Sequence, residues 1–197
     1  SAFFKNSNAN FFNSLLFFKY SLRAKSRSPP KLLKVLISAL KNLNIDKLII
    51  IPTFLNPFKS EFGAPPNLRL QWCRTLWENL SPKIIVSDYE TSQNRAVASI
   101  DSVSYFKNKF NASRIYLIIG ADQLNSLHKW HRYDELKALV SFVVACRDDI
   151  KIDENLQKLD INVKISSSKI KSELNFKQVP SAILSSVQSF YKDKNAK

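Results

Sequence analysis

The sequence predicts an α/β fold, a doubly wound parallel sheet of about five to six strands flanked by helices. Three observations carry that prediction. Short apolar runs of strand length, among them Lys47–Pro52 (KLIIIP) and Ser141–Cys146 (SFVVAC), alternate with amphipathic helical segments. Neither an internal repeat nor a hairpin signal interrupts the alternation. Several of the runs lead straight into residues that carry chemistry, and Rossmann-like sheets bind ligands beyond the carboxyl ends of their strands.

The elements follow in order. Residues 1–33 hold six Lys or Arg, no acid and no glycine; within them Leu15–Leu22 reads as one strand. Leu32, Leu33, Leu36, Ile37, Leu40 and Leu43 recur at helical spacing. Asn44–Asp46 makes a turn into the KLIIIP strand, which reads as buried on both faces. A loop rich in proline, 53–66, leads to a helix expected over Asn67–Leu80, with Asn67 as its cap and Leu70, Cys73, Leu76, Trp77 and Leu80 inward. Lys83–Ser87 reads as a strand, Ser99–Asn111 as a helix and Arg114–Ile119 as the next strand. After it, Leu124, Leu127 and Trp130 mark a helix-like segment. Tyr133–Val140 is a short helix, and Asn162–Ile165 a last strand. Helices at Ser168–Leu174 and Ser181–Lys192 close the chain. By composition the chain divides into the anomalous segment 1–33, an α/β domain over 34–192 and a tail over 193–197.

A chain of 197 residues supports one proper core. No run approaches the roughly 18–20 apolar residues of a membrane span, so no membrane partner is expected. Cys73 and Cys146 stand far apart, each inside an apolar segment, as reduced thiols of a reducing, cytoplasmic setting do. The net charge of +14 falls to +8 over residues 34–197, which suits a phosphate-rich small substrate. The aromatic residues lack the basic interleaving of single-strand binders, so nucleic acid is not expected as a partner. A homo-oligomer is compatible with the sequence.

Gly120-Ala121-Asp122 ends an apolar strand. Glycine would admit a ligand to the backbone and the carboxylate could accept from ribose hydroxyls; a plain strand exit with Asp122 as a helix cap explains the residues equally well. Trp130 could stack on a flat heterocycle, although a core tryptophan is the commoner case. Ser166-Ser167-Ser168-Lys169-Ile170-Lys171 places hydroxyls and free N–H groups at an expected helix start, either a phosphate site or an ordinary serine cap. Lys59, Arg69 and Arg147 could reach a phosphate or remain solvated. Asp88 and Glu90 form either a turn or a partner for these cations. Walker loop, GxSxG and HExxH are all absent, and the only histidines are His128 and His131. Chemistry built on positioning and charge neutralisation, such as nucleotidyl transfer, fits that inventory.

From about Lys34 to Tyr191 the chain resembles the bacterial nicotinate-nucleotide adenylyltransferases. The matching stretches are IIIPTFLNPFK, NLRLQWC, SDYE, IGADQLNSLHKW, a strand ending in Arg147, and ISSSKIK. The resemblance implies adenylyl transfer from ATP to nicotinate mononucleotide, giving deamido-NAD and pyrophosphate, with Mg2+ assisting. It implies that Trp130 stacks on the pyridine ring, that Ser99 meets the nicotinate carboxylate, and that Lys59 is the loop lysine of the mononucleotide site. It places Gly120, Asp122 and Arg147 near the ribose and nucleotide. Ser167, Ser168 and Lys171 match the ATP phosphate motif, with a lysine where the family has a bidentate arginine.

The start of the chain departs from the family. Where the resemblance leads one to expect GGSFDPxHxGH, this sequence reads Leu22–Leu32; only Ser26, Pro29 and Pro30 coincide. Both glycines, the aspartate and both histidines are missing, so no catalytic residue is assigned. The odd composition and the absent initiator Met favour a damaged or out-of-frame N-terminus over a natural variant that has lost ATP chemistry. A targeting extension would not explain the lost motif. The expectation is therefore an adenylyltransferase by descent whose activity is poor. The alternative is an inactive nucleotide-binding remnant of the same fold, and a charge-driven nucleic-acid binder is weaker still.

Overall fold

Among the described residues six strands pair side by side, all parallel: β1 (Ser14–Tyr20), β2 (Lys47–Pro52), β3 (Ile84–Val86), β4 (Arg114–Gly120), β5 (Ser141–Cys146) and β6 (Gln157–Asp160). Their spatial order is β3-β2-β1-β4-β5-β6. This computed structural model describes residues 14–20, 29–55, 64–146, 157–160 and 179–195. The helices are α1 (Pro29–Asn42), α2 (Pro66–Trp77), α3 (Ser99–Phe110), α4 (Tyr133–Leu139) and α5 (Ser181–Asn195). The doubly wound parallel sheet is the predicted architecture.

Alternation along the strands divides the core in two. Leu16, Leu48, Ile50, Ile118 and Val143 face one side, with Leu36, Trp72, Cys73, Trp77, Ile183 and Val187 from α1, α2 and α5. Leu15, Phe17, Ile49, Ile51, Leu117, Ile119 and Val144 face the other, with Ile100, Val103 and Phe106 of α3 and Leu136 of α4. The strand expected at Leu15–Leu22 thus lies at the middle of the sheet: Leu15, Leu16 and Phe17 are fully buried, and Phe17 pairs with both Ile49 and Leu117.

Several expectations need correction. Asn67 does not cap α2; the helix starts one residue earlier at Pro66, whose fixed φ and missing N–H suit a first turn. The helix also stops at Trp77 and tightens to a 3-10 turn over Glu78–Leu80. That change of pitch swings Leu80 off the buried side, leaving it 51% exposed. Ile37 lies on the rim of its helix and is 41% exposed. A strand that the sequence reading did not anticipate occupies Gln157–Asp160; the expected strand Asn162–Ile165 and the expected helix Ser168–Leu174 lie outside the described residues.

The segment after β4 is a 3-10 helix, Ala121–Lys129, not an α-helix. Its apolar residues explain the pitch. Ala121, Leu124, Leu127 and Trp130 are spaced by three, and at three residues per turn such positions form one stripe. All four pack on the α3 face of the sheet.

Candidate functional site

The strand order reverses between β1 and β4. From β1 the chain winds outward to β2 and β3, then crosses through α3 to β4 on the other side. Crevices at such switch points, beyond the carboxyl ends, are where parallel sheets take ligands. The two lips here are the exit of β1 at Lys19 and Tyr20 and the exit of β4 at Gly120.

Gly120 has φ −78° and ψ 147°, a conformation open to any residue. Its backbone does not demand glycine; what the missing Cβ supplies is room. Its N–H donates to Gln123 Oε1 at 3.3 Å, and Ser126 Oγ donates to Gln123 O at 3.0 Å, which fixes the first turn of the 3-10 segment. Asp122 lies in that turn; its side chain is outside the described set. Trp130 ends the segment, half-buried and packed on the α3-face core, with its N–H bonded to Leu127 O at 2.9 Å. Ser99 is the first residue of α3 and half-buried. Gly120 and Ser99 therefore share the carboxyl side of the sheet, since β4 ends there and α3 begins there before running back antiparallel to the strands. Lys59, Arg147, Ser167, Ser168 and Lys171 lie outside the described residues.

The SDYE stretch resolves into separate roles. Ser87 Oγ accepts from the Tyr89 N–H at 3.2 Å, and Asp88 O accepts from Ser92 N at 2.9 Å and Thr91 Oγ1 at 3.0 Å, so the stretch is a turn. Asp88 meets Arg74 at 3.6 Å on the surface, a pair of little energetic weight. Tyr89 stacks on Tyr105 with ring centroids 4.1 Å apart. Glu90 is fully buried and paired, but its cation is Lys19, 2.6 Å away. Lys19 Nζ also donates to Val97 O at 3.0 Å, and Ser102 Oγ donates to Glu90 Oε1 at 2.6 Å. Burial pushes the Glu90 carboxyl above its ordinary range, against the opposing pull of Lys19, Ser102 and Arg69. Glu90 Oε2 and Thr53 Oγ1, each just past a strand end, are buried without a hydrogen-bond partner among the described residues.

Lys19 is the residue that sequence reasoning missed. It sits at a buried parity in a strand whose neighbours Leu15 and Phe17 are core. A cation at such a position needs a buried carboxylate, and Glu90, just past the β3 exit, was the signal available. Arg69, read as a phosphate candidate, is 3% exposed and donates Nε–H to Ala64 O at 2.9 Å and Nη2–H to Phe54 O at 2.6 Å. It closes the two ends of the segment that carries Lys59. His128 and His131 are exposed, on and just after the 3-10 segment. Among the described residues no three His, Cys, Asp or Glu side chains are grouped so as to hold a metal ion.

No family model matches the chain. It is 61% identical over 160 residues to the protein named "Probable nicotinate-nucleotide adenylyltransferase" of Campylobacter fetus, covering 81% of this chain and 88% of that one. The chain belongs to the nicotinate-nucleotide adenylyltransferase family. A relative of the same printed name from Sulfurimonas denitrificans is 43% identical over 165 residues, 83% of this chain and 89% of its own. Among solved structures, the Plasmodium falciparum nicotinic acid mononucleotide adenylyltransferase complexed with NaAD superposes with a TM-score of 0.68 at 18% identity, covering 90% of this chain and 96% of that one. The same enzyme complexed with APC gives 0.64 at 18% identity, covering 91% and 96%. At that identity the likeness is one of fold. Family membership makes this a nucleotidyltransferase-type α/β protein of NAD biosynthesis, and no helix among the described residues is long and apolar enough to cross a membrane.

Proposed function

We propose that this chain carries the site of an enzyme that transfers an adenylyl group from ATP to nicotinate mononucleotide, with low turnover of its own. In that reaction a phosphate oxygen of the mononucleotide bonds to the α-phosphorus of ATP. The bond from that phosphorus to the β-phosphate bridging oxygen breaks, and pyrophosphate leaves with the electron pair. The observation that carries the reading is the 61% identity to a relative named as a nicotinate-nucleotide adenylyltransferase, supported by a parallel sheet whose order reverses between β1 and β4.

In this reading Trp130 stacks on the pyridine ring and Ser99 donates to the nicotinate carboxylate. Gly120, Asp122 and Arg147 receive the ribose and nucleotide backbone, and Lys59 draws in the mononucleotide phosphate. Ser167, Ser168 and Lys171 hold ATP phosphates. Mg2+ would enter with the triphosphate it coordinates, and no step is assigned to protein-held metal. The setting is the cytoplasm, and the catalytic unit is 34–192 completed by β1.

Turnover is expected to be poor, because no histidine is present between Ser14 and Lys34 and no glycine stands in Leu22–Leu32, where the family resemblance calls for two glycines and the histidines. Losing the groups that stabilise transferring charge costs about 10²-fold or more. Pyrophosphate release with both substrates tests this: turnover within about tenfold of a relative with the intact motif would refute it. The second reading, an inactive binding remnant, is favoured by the same missing residues. Calorimetry separates the two, since a remnant binds nicotinate mononucleotide and not ATP.

A further inference from the structure

We propose that Lys19 and Glu90 form a buried clamp that sets the position of Ser99, making Lys19 a positioning residue for recognition of the nicotinate carboxylate. The proposal rests on the reading of Ser99 given above.

Lys19 extends from the central strand on the α3 face of the sheet. Two of its three N–H donors are in use, one on Glu90 Oε1 at 2.6 Å and one on Val97 O at 3.0 Å. Val97 lies two residues before Ser99. The same Glu90 oxygen accepts from Ser102 Oγ at 2.6 Å, inside the first turn of α3. The helix start is thus held from both sides, at Val97 before it and Ser102 within it. Both holds converge on one ion pair seated on β1. Glu90 is fully buried, Ser102 is 1% exposed and the Lys19 side chain 14%, so water does not compete freely for these bonds. Ser99 itself makes no cap hydrogen bond from the position before it, as Ala98 occupies the N-cap with no side-chain acceptor. Besides the core packing of Val97 and Ile100 and the Ser102 N–H bond to Ala98 O, the clamp supplies the side-chain hydrogen bonds at this helix start.

A residue that only supported the fold would weaken every ligand of the site together. A residue that positions Ser99 acts selectively on ligands bearing the carboxylate. The experiment measures calorimetric affinity of the full chain for nicotinate mononucleotide and for nicotinamide mononucleotide, which carries a neutral amide instead. Lys19→Met should lose about tenfold or more for the acid, the scale of one hydrogen bond to a charged group, and stay within about threefold for the amide. The double variant Lys19→Met/Glu90→Gln leaves no buried charge unpaired, guards against simple misfolding, and should lose discrimination likewise. Lys19→Arg, which can still bridge a carboxylate and a carbonyl, should restore part of it. Equal losses for both ligands, or an unchanged ratio in the double variant, would overturn the clamp. Parent protein that binds the two ligands equally would instead overturn the assignment of Ser99, and the clamp's recognition role with it.

Discussion

Replacing Arg69 with methionine should destabilise the protein by about 2–4 kcal/mol. The guanidinium is 3% exposed and makes bonds of 2.9 and 2.6 Å to the carbonyls of Ala64 and Phe54. Bonds from a charged donor contribute about 1.5–3 kcal/mol each, so losing these two is worth about 3–6 kcal/mol before compensation. Methionine keeps the packing of the stem, and removing the guanidinium also removes the cost of burying its charge, which brings the net down. Arg69 further favours the ionised form of Glu90, so its loss leaves that carboxylate with less support. Urea unfolding monitored by tryptophan fluorescence provides the measurement. With a slope of about 2 kcal/mol/M, the midpoint should fall by about 1–2 M with the slope itself unchanged. Arg69→Lys retains the charge but not the fork, and should fall between the two. Protease cleavage between Phe54 and Ala64 should rise in both variants ahead of global unfolding. An Arg69→Met protein within about 0.5 kcal/mol of the parent would refute the idea that this side chain closes the loop.

Three further outcomes are expected. Trp72 Nε1 donates to Ser186 Oγ at 2.9 Å, joining α2 to α5, so Trp72→Phe should cost about 1.5–3 kcal/mol and Ser186→Ala about 1 kcal/mol, with the double variant costing less than their sum in urea titrations. In a Cys146→Ser background, the Cys73 thiol should react with a disulfide reagent only as the protein unfolds, because it is fully buried and burial holds it far above the ordinary thiol range; rapid reaction of folded protein would contradict this. Glu90 titrates above its ordinary value when folded, so between that value and its folded one the native state binds more protons than the unfolded chain. Its contribution to stability therefore falls as pH rises through that window, and Glu90→Gln should flatten that part of the curve of unfolding free energy against pH.

Periodicity made most of the architecture legible. Continuous apolar runs of strand length, separated by helical stripes, specify a parallel sheet covered on both faces, and KLIIIP and SFVVAC declare themselves by burial demand alone. The spacing of three at Leu124, Leu127 and Trp130 marks a helix-like segment but does not tell a 3-10 helix from an α-helix, because three and 3.6 differ little over so short a stretch. Leu80 departs from the expected buried side because pitch changes after Trp77, and local pattern carries no warning of that.

The site divides in the same way. Gly120, Asp122 and Trp130 stand within eleven residues, so their candidacy is a matter of local sequence, as is the family resemblance that the relatives bear out. Lys19, Glu90, Val97 and Ser102 come from β1, the β3 exit and α3, up to 83 residues apart, and no spacing rule joins them. Parallel pairing of β1 between β2 and β4 does so, by seating one lysine where the crossover passes above it. Arg69 makes the same point: its charge suggested a phosphate, and only burial beside two loop carbonyls turned it into a staple. The sequence by itself determined which residues must be buried and in what rhythm, because hydrophobic period is a local property. Which charged groups meet inside was decided by the tertiary structure, because a buried ion needs a partner and the winding of the sheet supplies it.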